Sequence, residues 1–253
     1  PKEKVKEYNR KIEKEVNCLA EKLNLTAGTD YEKEIKIHDW ICHNISYDDE
    51  GADRSKPMRM IASHNIFGVF AHHRAQCEGL AKAVKVLLNA VDVRCIVVTG
   101  ESVKNGKRVP HAWNMVNIDG QPYHFDVTWD IGAIGSSFKR ISYDYFNLSD
   151  QLIAKEHKAD TQLPSCSSML HNYFKVNKRT FWMKSQVMAY VEKALQGGDT
   201  EFYFRIEGRN VASDVAEKIY DQICVFFSGK GITDKRVKRI ANDKIGSCWI
   251  KIY

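Results

Sequence analysis

The sequence predicts an α+β fold with two parts, and three observations carry that expectation. Residues 1–91 show repeated helical periodicity, residues 94–129 show β-rich runs joined by turn dipeptides, and residues 172–253 alternate strand-like and helical stretches. The divide is placed at 160/161, giving a larger α+β core over 1–160 and a smaller C-terminal α/β domain over 161–253.

Val5, Tyr8, Ile12, Val16, Leu19 and Leu23 recur at steps of three and four, which predicts an amphipathic helix ending near Thr26-Ala27-Gly28. A second helix starts at an N-cap, Thr29 or Asp30, and runs through Ile37, Trp40, Ile41 and Ile45 to Tyr47. Residues 48–57 form a polar loop whose carboxylates lack the ligand alternation and central glycine of a calcium loop. Leu80, Val84, Leu87, Leu88 and Val91 then define a mostly buried helix that begins around Cys77. Residues 94–100 read as a buried strand, and Asn105-Gly106 as a turn. Residues 111–118 and 123–129 read as two strands joined at Asp119-Gly120, a strong hairpin signal. Residues 131–149 are expected to form an aromatic lid or edge, and 150–168 a connector. In the C-terminal part 172–176, 201–206 and 248–253 read as strands, and 184–195, 212–227 and 234–242 as helices.

With 43% hydrophobic and 28% charged residues, the 253-residue chain can bury a full core. Its formal charge of +6 is dispersed, and the lysines of the first helix are interleaved with glutamates, which argues against a nucleic-acid partner. No run approaches the ~18 apolar residues of a membrane span. Seven cysteines at irregular positions argue against a disulfide framework and lean toward a reducing, cytoplasmic setting. The chain begins at Pro1 rather than Met, so a missing leader says nothing about targeting. Oligomeric state is not set by any feature of the sequence.

Cys77 stands where a helix begins, and the unpaired N–H groups of a first turn favour a thiolate there. The plain alternative is a small buried hydrophobe. Strand alternation puts His111, Trp113 and Met115 on one face, and His124, Asp126 and Thr128 on one face of the next strand. A tight hairpin brings the His111 end beside Asp126. A carboxylate beside an imidazole fixes its tautomer and leaves the other ring nitrogen free to deprotonate a thiol, which makes Cys77, His111 and Asp126 candidates for nucleophile, base and orienter.

The blocks Gln76-Cys77-Glu78-Gly79-Leu80-Ala81, His111-Ala112-Trp113-Asn114 and Asp126-Val127-Thr128-Trp129-Asp130 resemble the three ordered blocks of the transglutaminase-like superfamily. In its bacterial members Cys-x-Gly-x-Ala, His-Ala-Trp and Asp-x-Thr-Trp blocks follow in this order. The resemblance covers residues 35–150 and includes Asn44-Ile45-Ser46-Tyr47-Asp48. It implies a papain-like core with Cys77 as nucleophile, His111 as base and acid, and Asp126 as orienter.

Two positions depart from the family pattern. The segment Ser63-His64-Asn65-Ile66-Phe67-Gly68 matches the region that helps form an oxyanion hole, and Asn65 with the backbone N–H of Cys77 is the choice made here. Gln76 stands where small or apolar residues are usual and joins Asn65 among the oxyanion or substrate-binding candidates. Trp113 and Trp129 are expected to wall the site and exclude water.

The resulting expectation is thiol-dependent acyl transfer on peptide or glutamine amides through a thioester. Hydrolysis is favoured over cross-linking, with a peptide or protein as substrate and no cofactor. The alternative is a non-catalytic peptide- or protein-binding module that keeps the fold. His64, His72, His73, His111, His124 and Asp126 offer metal-ligating atoms, but the spacings of zinc sites are missing, so no metal is expected. His124, two residues before Asp126 on the same strand face, is a candidate neighbour of that carboxylate, with ordinary polar packing the favoured reading, and Cys42 and Cys95 are expected to be buried.

Overall fold

The computed structural model describes residues 2–104, 106–132, 140–232 and 234–253, and the chain divides into two compact units, Pro1–His171 and Asn172–Tyr253. That divide falls later than 160/161. Residues 161–171 are tied into the first unit: Asp150 accepts from the Cys166 amide at 2.9 Å, and Tyr123 Oη donates to Ser168 Oγ at 2.9 Å.

In the first unit α1 (Lys2–Lys22) and α2 (Asp30–Asn44) lead to β1 (Ser46–Tyr47) and a 3-10 turn, Asp49–Ala52. Next come α3 (Pro57–Ser63), α4 (Ile66–His72), β2 (Arg74–Ala75) and α5 (Cys77–Asn89). A meander follows: β3 (Cys95–Lys104), β4 (Lys107–Ile118) and β5 (Gln121–Phe125). The unit closes with α6 (Val127–Gly132), α7 (Asp150–Ile153) and β6 (His157–Ala159). The four-stranded antiparallel sheet has the order β5-β4-β3-β6, and β1 pairs with β2 in a separate parallel ribbon.

Local chemistry explains several boundaries. Thr29 caps α2 in a capping box: its hydroxyl accepts from the Glu32 amide at 3.2 Å while Glu32 accepts from the Thr29 amide at 2.8 Å. The acidic loop after Tyr47 is answered by cations, with Arg59 bound to both oxygens of Asp48 and Lys56 to Glu50. The β4–β5 hairpin turns at Asp119 (φ 50°) and Gly120 (φ 81°), the paired positive angles of a tight reversal. The apolar stripe of α5 is the centre of the core: Leu80, Val84, Leu87 and Leu88 are all buried.

Four expectations require correction. The second helix ends at Asn44 rather than Tyr47, because Ser46 and Tyr47 pair with Arg74 and Ala75. Residues 127–129 are not strand; β5 stops at Phe125 and α6 starts at Val127, because Asp126 accepts from the amides of Thr128 and Trp129 and caps the new helix. Residues 172–176 are not strand; Asn172 caps the helical turn α8 (Tyr173–Val176) by accepting from Phe174 N at 3.2 Å. Residues 234–242 are not helical: Val237–Asn242 is a strand whose hairpin partner outweighs its weak helical pattern. Of the expected lid over 131–149, residues 133–139 lie outside the described residues, as does Asn105 of the expected turn. Tyr145 and Phe146 are core residues.

The second unit contains α8, β7 (Thr180–Phe181), α9 (Lys184–Gln196), β8 (Glu201–Ile206), α10 (Ala212–Ser228), β9 (Val237–Asn242) and β10 (Ser247–Ile252). Its sheet order is β7-β8-β10-β9, with only β7–β8 parallel. An apolar cluster including Val187, Val191, Phe202, Phe204, Ile219 and Ile250 fills it. Among the described residues no helix is long and apolar enough to cross a membrane, and all seven cysteines are free.

Candidate active site

Cys77 is the first residue of α5, and Gln76 before it makes no side-chain cap, so the first-turn N–H groups receive no bond from that side chain. Two close approaches fix this helix end. A Cβ on Gly79 would meet Ser63 O at 2.3 Å and Asn65 O at 2.9 Å, so the segment after α3 packs directly on the first turn. The β1–β2 ribbon pairs Tyr47 with Ala75, which sets the phenol of Tyr47 beside the start of α5. Burial, with the Cys77 charge next in weight, pushes the Tyr47 hydroxyl up to about 12, so it stays a proton donor at neutral pH.

His111 lies on β4 opposite Gly100 of β3. Its Nε2 is 2.7 Å from Asp126 Oδ2. Burial penalises the imidazolium, but the Asp126 charge, its hydrogen bond and the Cys77 thiol outweigh that penalty and hold His111 up at about 10. With Nε2 engaged by Asp126, Nδ1 is the nitrogen left for the thiol. Asp126 is buried, yet its carboxyl lies well below the usual range. The desolvation cost is overcome by donors: His111 and His157 on Oδ2, and the amides of Thr128 (3.0 Å) and Trp129 (3.3 Å) on Oδ1. A thiol, an imidazole and a carboxylate in this order can generate a nucleophilic sulfur and return its proton to a leaving group.

The auxiliary candidates are distributed unequally. The Trp113 ring lies nearly parallel to His111 (15°, centroids 6.0 Å apart), and Trp129 meets His111 edge-on at 6.3 Å. Trp129 lines the cavity beside Cys77, whereas Trp113 is core. Gln76 is buried and lines the cavity, and its Nε2 donates one hydrogen to Asp48 O at 2.9 Å, which ties the amide to the scaffold. Asn65 caps α4, with Oδ1 accepting from Ile66 N at 2.7 Å, and it is not among the residues lining the cavity. His124 is polar packing, as favoured: its Nδ1 accepts from Trp113 Nε1 at 3.1 Å and its Nε2 donates to Asp150 at 2.9 Å. His64 pairs with Glu78.

Two residues escaped the sequence reading. Tyr47 was placed only at a helix end, although it sits inside a matched block. His157 arrives on β6, the edge strand, brought close because Gly100 leaves room: a Cβ there would meet Lys158 O at 2.1 Å. Among the described residues two groups have ligand atoms within 4.8 Å of one another and could hold a metal, His111–Asp126–His157 and His124–Asp150–Cys166. In both, hydrogen bonds between imidazole and carboxylate already account for the closeness.

A cavity of about 1310 Å³ opens at Cys77 and His111. Asp49, Glu78 and Asp160 contribute carboxylates to its lining, and no lysine or arginine does so among the described residues.

Residues 17–127 match the family described as Transglutaminase-like superfamily. The chain is similar to kyphoscoliosis peptidase of Mus musculus, 25% identical over 197 residues, which is 71% of this chain and 29% of the relative. It is likewise 25% identical over 186 residues to kyphoscoliosis peptidase of Homo sapiens, covering 67% of this chain and 28% of that one. The chain thus spans less than a third of the curated relatives it matches. A crystal structure of a TGase aligns over 51% of this chain and 34% of its own, at 20% identity and a TM-score of 0.41.

Proposed function

The chain belongs to the transglutaminase-like superfamily through residues 17–127, and from that premise we propose that it is a thiol-dependent acyl-transfer enzyme acting on peptide amides. The observation that carries the reading is the His111–Asp126 pair at 2.7 Å, with the Cys77 thiol among the partners of the same imidazole at the mouth of the cavity.

In this reading His111 Nδ1 takes the Cys77 proton while Nε2–H stays on Asp126. The thiolate attacks the amide carbonyl, and the carbonyl electron pair moves onto oxygen. The Cys77 backbone N–H and the Tyr47 hydroxyl are the donors assigned to that oxyanion. Collapse breaks the C–N bond, the amine leaves with the proton held by His111, and a thioester remains. Water, deprotonated by the same imidazole, then releases the carboxylic acid and restores the thiol. We favour water as acceptor, giving peptidase or deamidase activity, over an amine, which would give a cross-link. The acidic lining suits peptides that present lysine or arginine near the reacting amide.

A peptide aldehyde or other carbonyl electrophile tests this. The full chain should form a covalent adduct at Cys77, found by peptide mass spectrometry and absent in Cys77→Ala. Trapping that persists in Cys77→Ala would refute the assignment. A chain that binds peptide without forming any adduct would instead be the binding module that keeps the fold.

A further inference from the structure

We propose that His157 is a positioning residue for this site, holding the Asp126 carboxylate in the orientation that serves His111. The inference rests on the reading of Cys77, His111 and Asp126 just given.

His157 sits on β6 at the edge of the sheet, where Ser102 is its cross-strand partner. The strand is anchored on both sides, by Val103 N to Glu156 O at 2.9 Å and by Asp160 N to Thr99 O at 3.0 Å. Its side chain is fully buried, with His111, Trp113 and Trp129 rings at 5.2, 5.2 and 4.9 Å between centroids. Within this aromatic enclosure its one polar contact among the described residues is Nε2 to Asp126 Oδ2, at 2.9 Å. An ionised carboxylate can only accept, so Nε2 carries the proton and the tautomer is set by Asp126. Nδ1 is buried without a partner.

That unpaired nitrogen separates a positioning role from simple packing. A phenyl ring of similar size would fill the enclosure without burying an unsatisfied acceptor. What the imidazole supplies and a phenyl lacks is the N–H on Oδ2. The geometry gives that bond a purpose. Oδ1 is held by the Thr128 and Trp129 amides, but one anchored oxygen leaves the carboxylate able to turn about its Cβ–Cγ bond. Oδ2 offers two lone pairs: His157 occupies one from the sheet edge, and the other faces His111. The carboxylate plane is thereby fixed from both ends, and with it the ring angle of His111.

The test uses the full chain and variants His157→Phe, His157→Gln and Asp126→Asn. Long-range nitrogen–proton NMR on the wild type should find the His157 proton on Nε2; a proton on Nδ1 would overturn the proposal without any mutation. The His111 proton shared with Asp126 should give a downfield, exchange-protected resonance. His157→Phe should shift or broaden it and slow iodoacetamide labelling of Cys77 at neutral pH by about tenfold or more. His157→Gln, which can place an amide N–H near the same spot, should recover most of both signals. An unchanged resonance and labelling rate in His157→Phe would overturn the role, as would equal loss in both His157 variants. Labelling of Cys77 that ignores Asp126→Asn would instead remove the underlying triad, and this inference with it.

Discussion

The first unit contains two groupings of cysteine, histidine and aspartate, Cys77–His111–Asp126 and Cys42–His38–Asp130, built from the same three side-chain types in different surroundings. In the second, Cys42 lies one helical turn after His38 within α2, with Sγ 3.7 Å from His38 Nε2, and that same nitrogen is 3.2 Å from Asp130 Oδ2. Thiol and carboxylate therefore compete for one ring nitrogen, while Asp39 takes the other at 3.1 Å. In the first grouping Asp126 takes Nε2 of His111, which leaves Nδ1 available, and the Cys77 thiol is among the partners of the ring. Exposure separates the groupings too: both cysteines border the cavity, but Cys77 is partly exposed at a helix start and Cys42 is buried inside a helix.

The carboxylates diverge for a countable reason. Asp126 and Asp130 are both buried, but Asp126 collects two imidazoles and two backbone amides and stays well below the usual range. Asp130 receives His38 and the Tyr145 amide, and burial, helped by the nearby Asp144 charge, pushes it up to about 6. Burial likewise raises the Cys42 thiol, which marks it as packing material. Residue type alone does not make a site; the number of donors and the opening to solvent do.

The largest expected contrast lies between the two cysteines. Cys77→Ala should abolish adduct formation with a peptide electrophile, whereas Cys42→Ala should keep it within a factor of about two and cost about 1–2 kcal/mol of stability as a core truncation. An equal loss in both would erase the distinction. Next come the carboxylates: Asp126→Asn should slow the reaction by roughly 10²–10⁴-fold through loss of the ring's orientation, and Asp130→Asn by less than about threefold, measured as adduct-forming rate.

A thermal scan sharpens the same comparison through pH. Asp126, depressed in the folded state, stabilises the protein above the ordinary carboxylate range and loses that contribution as pH falls through and below about 4. Glu34, buried beside the His38 grouping, behaves oppositely. Burial raises it to about 8, and its Oε1 has no partner while Oε2 accepts from Asn147. Its contribution is complete below about 4.5 and is lost as pH rises toward 8. Glu34→Gln should therefore flatten the fall in melting temperature between pH 5 and 8 and raise it at pH 8 by about 2–8 °C; an unchanged slope would contradict this. The smallest effect belongs to the cavity rim, where Asp160→Asn should raise KM for a lysine-bearing peptide about twofold with kcat unchanged.

Much of this site is legible in the chain because its signals are local. Helical spacing after Cys77, the alternation around His111 and the Asp119-Gly120 turn each act over a few residues. What stayed hidden depends on distant partners. His157 is one residue of a three-residue edge strand, and only its pairing with Ser102 brings it to Asp126. Asp126 looked like a strand residue because Val127 and Trp129 are strong β formers; its side-chain capping of α6 is the signal that Asp-x-Thr carries. That Asn65 caps a helix was likewise hidden, because α4 opens at the next residue with little pattern of its own. In the second unit Val237–Asn242 has little pattern of its own and becomes a strand through β10.

Residue-resolved iodoacetamide kinetics on all seven cysteines of the full chain at pH 7 read the activation of Cys77 itself. Cys77, though only partly exposed, should react faster than the exposed Cys18 and Cys224, and Cys42 should be among the slowest. A Cys77 rate at or below that of Cys18 would contradict that activation.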